Sequence, residues 1–221
     1  AILDKAFTAI DQSKANIEKN TVNATALFQS KLNAIFSQKS DGWEEKIWNE
    51  VLEIRSGRNQ KAVENPQGKY PILGSAGKIM NYADNYLCEQ GTTIIGRKGT
   101  INNPMFIETK FWNVDTAFGL HALEGLDKKF LYFFCLSYDF TQRDKGSGRP
   151  SLVKNDLLTM KMPLPQINIQ QKAVEQCEKL NKRLIELKNE YNNKIDSLEE
   201  LKKSILQKAF SGKLTQKEVE V

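Results

Sequence analysis

From Leu3 to Lys39 the chain has neither Pro nor Gly, and Leu3, Ala6, Ile10, Ile17, Ala24 and Leu27 fall at a and d positions of a heptad. That pattern predicts one long helix over residues 1–41, stopped by the turn-forming Ser40-Asp41-Gly42. The pattern then changes. Between Trp43 and Pro165 lie most of the glycines, all six prolines and all three tryptophans, with short β-rich runs at Thr93 to Gly96, Met105 to Ile107 and Phe111 to Val114. Two helices are expected there, Asp127 to Tyr138 with Phe130, Leu131, Phe134 and Cys135 on one side, and another from near Ser151 carrying Leu152, Leu157 and Leu158. Residues 42–166 therefore read as a globular domain of mixed α and β structure. Pro163-Leu164-Pro165 breaks the chain, and Asn168 with Gln171 reads as a capping box opening a second long helix over 167–214, followed by a tail, 215–221. Cys177, Leu184, Tyr191, Leu198 and Ile205 form one heptad row of that helix; Leu180, Leu187 and Leu201 form the other, interrupted by Lys194.

The two long helices are related to one another. Leu27, Ser30, Phe36, Ser37 and Lys39 recur 174 positions later as Leu201, Ser204, Phe210, Ser211 and Lys213, in the same heptad phase. Shared heptad composition alone produces some such identities, but Phe36-Ser37-Gln38-Lys39 and Phe210-Ser211-Gly212-Lys213 lie at helix ends, where heptad pressure fades. The simplest assembly is an antiparallel two-helix coiled coil, an α+β domain at its tip, with Ile10, Ile17, Leu27, Leu180, Leu184, Leu187, Tyr191, Leu198, Leu201 and Ile205 on the helix seams.

Composition narrows the partners. A chain of 221 residues with eleven Phe, six Tyr and three Trp can bury one real core. Thirty-two Lys and Arg against 27 Asp and Glu leave a net charge of +5, which permits a polyanionic partner. No apolar run reaches bilayer-spanning length, and Cys88, Cys135 and Cys177 match neither a disulfide framework nor a zinc knuckle, so a cytoplasmic protein is expected. Because it begins at Ala1 inside a helical pattern, the chain reads as a fragment or processed product.

Catalytic chemistry is sparse. The single histidine, His121, lies in the apolar run Ala117 to Leu123 and reads as a strand residue. Gly74-Ser75-Ala76-Gly77-Lys78-Ile79 fails as a phosphate loop: Ile72 stands where the first glycine belongs and Ile79 where Ser or Thr binds magnesium. Asn103-Pro104-Met105-Phe106 is similar to an amino-methyltransferase motif, but no glycine-rich cofactor loop accompanies it. Glu108-Thr109-Lys110 with Asp84 has the acid-x-Lys form of magnesium nucleases; the triplet is common by chance, and a polar strand end is the preferred reading.

Basic residues instead gather in glycine-rich loops: Arg58, Gln60 and Lys61 after Ser56-Gly57; Arg97, Lys98 and Thr100 in Gly96-Arg97-Lys98-Gly99-Thr100; Arg143, Lys145, Ser147 and Arg149 in the segment 143–149. Flanking glycines let the backbone approach a phosphate, and Arg also reads guanine through paired donors. Gln60, Asn102 and Asn103 are candidate adenine readers, and Ser75 and Lys78 candidate backbone contacts.

At these residues the chain resembles the specificity subunit of Type I restriction–modification enzymes, specifically its C-terminal half. The resemblance rests on Phe28-Gln29-Ser30-Lys31-Leu32 with Ile35-Phe36-Ser37 before Gly42-Trp43, on Gly96 to Thr100, on Gly146-Ser147-Gly148-Arg149-Pro150-Ser151-Leu152, on Pro163-Leu164-Pro165 with Gln170-Gln171-Lys172, and on Ser204 to Leu214. It implies a non-catalytic target recognition domain reading one half of a bipartite site in double-stranded DNA. The helices would set the spacing and dock methyltransferase (M) and restriction (R) subunits. S-adenosylmethionine, Mg and ATP would belong to those subunits, with no cofactor or metal here. The missing half would come from another chain or from a homodimer. A coiled-coil scaffold that binds no DNA and a magnesium nuclease are the competing readings.

Overall fold

The computed structural model describes residues 2–37 and 43–211; the expected stop at Ser40-Asp41-Gly42, the tail 215–221, and Gln38, Lys39, Gly212 and Lys213 of the repeat lie outside them. The described residues form two compact units, a helical one within 2–30 and 179–211 and a globular one within 31–178. The globular unit thus reaches further into both helices than boundaries at 42 and 166 would place it. The reason is burial: Leu32 and Phe36 at one end, and Gln170, Ala173, Val174 and Cys177 at the other, belong to its interior.

In the helical unit, α1 (Ile2–Phe36) and α5 (Ile167–Phe210) supply the two partners. At 1.5 Å per residue the 44 residues of α5 extend about 66 Å. The pairing is antiparallel, since Lys14 bonds Glu199 at 2.8 Å and Asp11 bonds Lys202 at 2.9 Å, with the Lys202 ammonium 5.3 Å from the Phe7 ring. Ile10 is buried, and Ile17, Leu180, Leu184, Leu187, Tyr191, Leu198 and Ile205 are half-buried along the seam. Leu27 and Leu201, assigned to the same rows, are 60% and 49% exposed. Seven residues of a straight helix fall about 20° short of two full turns, so the facing position moves forward along a strict heptad. The seam therefore slides from Leu27 to Phe28 and from Leu201 to Lys202, all of them one position on, with Ile195 replacing Lys194.

The globular unit is closed at its ends by β1 (Glu44–Ile47) pairing antiparallel with β9 (Lys161–Leu164). Pro163 sits in this two-stranded sheet opposite Glu45, and Pro is tolerated in such edge positions. A short turn of helix, α2 (Trp48–Val51), leads into β2 (Leu52–Ser56). A three-stranded sheet has the order β4 (Ile79–Ala83), β3 (Tyr70–Leu73), β7 (Trp112–Asn113). A four-stranded antiparallel sheet has the order β2, β8 (Ala117–Ala122), β5 (Thr92–Gly96), β6 (Met105–Ile107). β5 is buried at every position, which explains its unbroken Thr-Thr-Ile-Ile-Gly run. His121 is a strand residue of β8, and burial, then the charges of Arg55 and Lys128, lower its pKa.

Asp127 caps α3 (Lys128–Ser137), its carboxylate accepting from the Lys129 and Phe130 amides. The inner side of α3 meets the end of α1: the Phe36 ring lies 5.1 Å from Phe130 and 5.7 Å from Phe134 at edge-on angles, and Trp48 lies 6.4 Å from Phe134. Phe210, the repeat counterpart of Phe36, is 89% exposed. α4 (Lys154–Leu158) starts three residues after Ser151 and buries Leu157. The expected capping box does not form, because α5 begins at Ile167 and Asn168 lies within its first turn. Gln170 has the anchoring role: its side chain accepts from the Asp127 amide and donates to the Gly125 and Pro165 carbonyls, each at 2.8 Å.

Candidate nucleic-acid interface

The chain between β7 and β8, Asn113 to Ala117, is where the basic loops meet. On one side, β2 runs into Gly57, whose amide donates to the Ala117 carbonyl at 3.1 Å, and Arg58, whose amide donates to the Asn113 carbonyl at 3.0 Å. The Trp112 indole donates to the Arg58 carbonyl at 3.1 Å, so Arg58 has a fixed backbone and an exposed side chain. Glycine at 57 is required by this approach, since a Cβ there would lie 1.8 Å from the Val114 carbonyl oxygen. On the other side, the Arg97 and Lys98 amides both donate to the Thr116 carbonyl, at 2.8 and 3.1 Å. The Arg97 guanidinium donates to the Asp115 carbonyl at 3.2 Å and stands 5.8 Å from the Phe118 ring.

The third loop is stitched to the second. Gly99 donates to the Pro150 carbonyl and Leu152 to the Arg97 carbonyl, both at 2.8 Å, and Lys98 bridges to Ser151. Gly99 has φ +84°, and a Cβ there would come 2.8 Å from the Arg149 guanidinium, which lies across it. Asp144 braces the loop from within, its carboxylate accepting from the Gly146 and Ser151 amides at 2.8 Å each; these bonds hold its pKa below the ordinary carboxylate value. The two glycine-rich segments therefore form one double loop, carrying exposed Lys98, Thr100, Lys145, Ser147 and Arg149 beside half-buried Arg97.

Other expected contacts fall in different places. Exposed Lys61 and half-buried Gln60 continue from Arg58. Half-buried Ser75 and exposed Lys78 lie in the β3–β4 hairpin, not a phosphate loop; β3 ends at Leu73, whose carbonyl accepts from the Val114 amide at 3.1 Å. Asn103 is exposed. Two assignments need correction. Asn102 is not a free adenine reader: its Nδ2 donates to Asp139 at 3.1 Å and its Oδ1 accepts from the Phe140 amide at 2.9 Å, holding the 3-10 turn Phe140–Arg143. Arg143 is half-buried, donates to the Tyr138 hydroxyl at 3.1 Å and faces Asp156 at 3.8 Å; the Tyr138 bond, then Asp156, raises its pKa. It braces the loop instead of presenting a free cation.

Sequence reasoning missed Asn113 and Lys154. Asn113 is fully buried, and its Nδ2 donates to the Arg55 and Ala117 carbonyls at 3.2 Å each, tying β2 to β8 beneath the loops. A lone Asn within Phe111-Trp112-Asn113-Val114 was the available signal. Half-buried Lys154 lines a groove beside Ser56, Arg97 and Ser151. The nuclease triplet is engaged otherwise: Lys110 bonds Glu89 at 3.1 Å and Tyr86 at 2.8 Å, and Asp84 accepts from Asn65 at 2.9 Å. Among the described residues no group of acids, His and Cys has the arrangement of a metal site, and no helix is long and apolar enough to cross a membrane.

Paired long helices flanking an α+β unit with basic loops on one turn define a nucleic-acid-recognition class of architecture. The profile of the Type I restriction modification DNA specificity domain matches residues 40–197, and the chain belongs to that family. No curated protein sequence matches it. Solved structures similar in fold include three Type I restriction–modification ones. One, described as the structural basis of complex assembly and conformational transition of the type I R-M system, matches with a TM-score of 0.86 at 16% identity over 97% of this chain and 58% of that one. The HsdS subunit from Thermoanaerobacter tengcongensis matches at 0.66 and 17% identity over 97% of this chain and 57% of that one. The Type I restriction-modification S subunit from M. genitalium matches at 0.59 and 19% identity over 92% of this chain and 60% of that one. The chain thus spans well under two thirds of each neighbour's length.

Proposed function

We propose that the globular unit is a target recognition domain that binds double-stranded DNA by sequence, as a non-catalytic part of a Type I restriction–modification assembly. The observation that carries this reading is the convergence of Arg58, Arg97 and Lys98 on the Asn113–Ala117 turn, with the 143–151 loop bonded to the Arg97–Gly99 segment. Among the described residues, Arg58, Lys61, Lys78, Lys98, Lys145 and Arg149 make no ion pair within the chain, so their charge is available to phosphates and base edges. Methyl transfer with S-adenosylmethionine, and cleavage with Mg and ATP, belong to the M and R subunits. The helical unit docks those subunits, and exposed Val22, Leu27, Ile185, Leu201 and Phe210 are among the apolar positions left for that contact. The second half-site is read by another target recognition domain.

Changing Arg97 or Arg149 to Ala weakens duplex binding by about tenfold, the worth of one good Arg contact, while the far-ultraviolet circular dichroism stays helical. If both variants bind as the parent does, the loop assignment is wrong.

A further inference from the structure

The basic loops present several cations, and beside them lies a concavity without acid. Ser56, Arg97, Ser151, Lys154 and Asn155 supply the polar lining of a groove of about 320 Å³, floored by Phe118 and Leu152, with no carboxylate among its lining residues. The adjoining groove, which shares Ser56 and Lys154, contains Glu53, paired to Arg55 at 3.1 Å. That second groove also holds Arg55 and Arg58, so both grooves are cationic, and what sets the first apart is that neither of its cations is committed to a carboxylate.

Two features make the first groove ready for an anion before anything binds. Its walls are joined by the Leu152 amide to the Arg97 carbonyl at 2.8 Å, so the β5 end and the segment entering α4 do not need to be brought together. Arg97 is held by the Asp115 carbonyl and the Phe118 ring, which fixes its guanidinium instead of leaving it to search rotamers. Lys154 makes no ion pair among the described residues, although it is half-buried. Two cations, two hydroxyls and an amide around one acid-free groove match the needs of a single phosphodiester: charge, and short donors to its oxygens.

We infer that this groove seats one phosphate of the DNA backbone, and that Lys154 is the positioning residue that fixes the domain's register on the duplex. The inference rests on the DNA-recognition reading above and divides its labour: Lys154 and Arg97 hold the backbone, while the exposed 145–149 loop reaches the bases.

The test uses the full chain, a fluorescent duplex pool of random sequence, and a salt titration. One phosphate contact contributes about 0.9 to the slope of log affinity against log salt. Lys154→Gln should lower the slope by about that amount, so that between 50 and 200 mM salt its affinity falls about 3.5-fold less than the parent's. Lys154→Arg should restore the slope, which a merely structural role of the side chain would not require. The sequences enriched from the pool should be the same for the parent and for Lys154→Gln. An unchanged slope in a folded Lys154→Gln chain overturns the phosphate seat while leaving DNA recognition standing. A changed set of enriched sequences assigns Lys154 to base reading and overturns it as well. A parent chain that ignores the duplex even at low salt removes both this inference and the reading beneath it.

Discussion

Gln170 is the single side chain whose removal should cost the globular unit most for its size. It is fully buried and makes three hydrogen bonds of 2.8 Å, to the Asp127 amide and to the carbonyls of Gly125 and Pro165. Replacing it with Leu keeps the volume but strands those groups. Water can reach the exposed Gly125, yet Pro165 is buried and Asp127 only half-exposed. An unsatisfied buried group costs about 1–3 kcal/mol, so the Pro165 carbonyl in full and the Asp127 amide in part give a destabilisation of about 2–4 kcal/mol. Against a usual stability of about 5–15 kcal/mol that is a large fraction. All three tryptophans, Trp43, Trp48 and Trp112, lie within residues 31–178, so urea denaturation followed by tryptophan fluorescence reports this unit. Gln170→Glu should fare no better, since it keeps the acceptor, loses both donors and buries a charge. A Gln170→Leu midpoint within about 0.5 kcal/mol of the parent's, the scatter of ordinary surface changes, would refute the reasoning.

On the helices, Leu187→Ser should lower the stability of the pair by about 1 kcal/mol, roughly half the value of a fully buried Leu, whereas Leu201→Ser should leave the chain alone unchanged and weaken only partner docking; equal effects in thermal melts at 222 nm would contradict the seam described. Asp144, its pKa depressed by the Ser151 and Gly146 amides, orders its loop fully above the ordinary carboxylate range and loses that contribution as pH falls through and below it. Amide protection factors across residues 144–151, which correct for the intrinsic pH dependence of exchange, should therefore be high at neutral pH and fall in acid, and in Asp144→Asn they should be low already at neutral pH. Burial pushes the Cys88 and Cys177 thiols up to about 12 and Cys135 higher still, so an aromatic disulfide reagent should label none of them in the native chain and all three in denaturant.

The helices were legible because Pro and Gly are absent from them and their apolar spacing is regular over many turns. What the heptad could not convey was its own drift, which leaves Leu27 and Leu201 exposed and turns Phe28 and Lys202 inward. The strands at residues 93–96 and 105–107 and the helix near 127–138 were readable from local composition. The closing pair β1–β9 was not, because its partners stand more than a hundred positions apart and one contains Pro163.

For the candidate interface, residue type picked out the three loops, but the meeting of two of them on Asn113–Ala117 and of the third with the second depends on backbone bonds between distant segments that leave no mark on composition. The same non-local bonds separate Arg149, which stays exposed, from Arg143, which Tyr138 and Asp156 engage. Asn102 and Asn103 are neighbours of identical chemistry, and only the position of Asp139 and Phe140 decides that the first is structural.

Whether the globular unit reads DNA sequence is decided by selecting bound duplexes from a randomised pool with the full chain, alone and with a methyltransferase subunit. Enrichment of one short motif, lost when Arg149 is changed to Ala, is the predicted result; a chain that retains no duplex at low salt, or retains all sequences equally under both conditions, contradicts that reading.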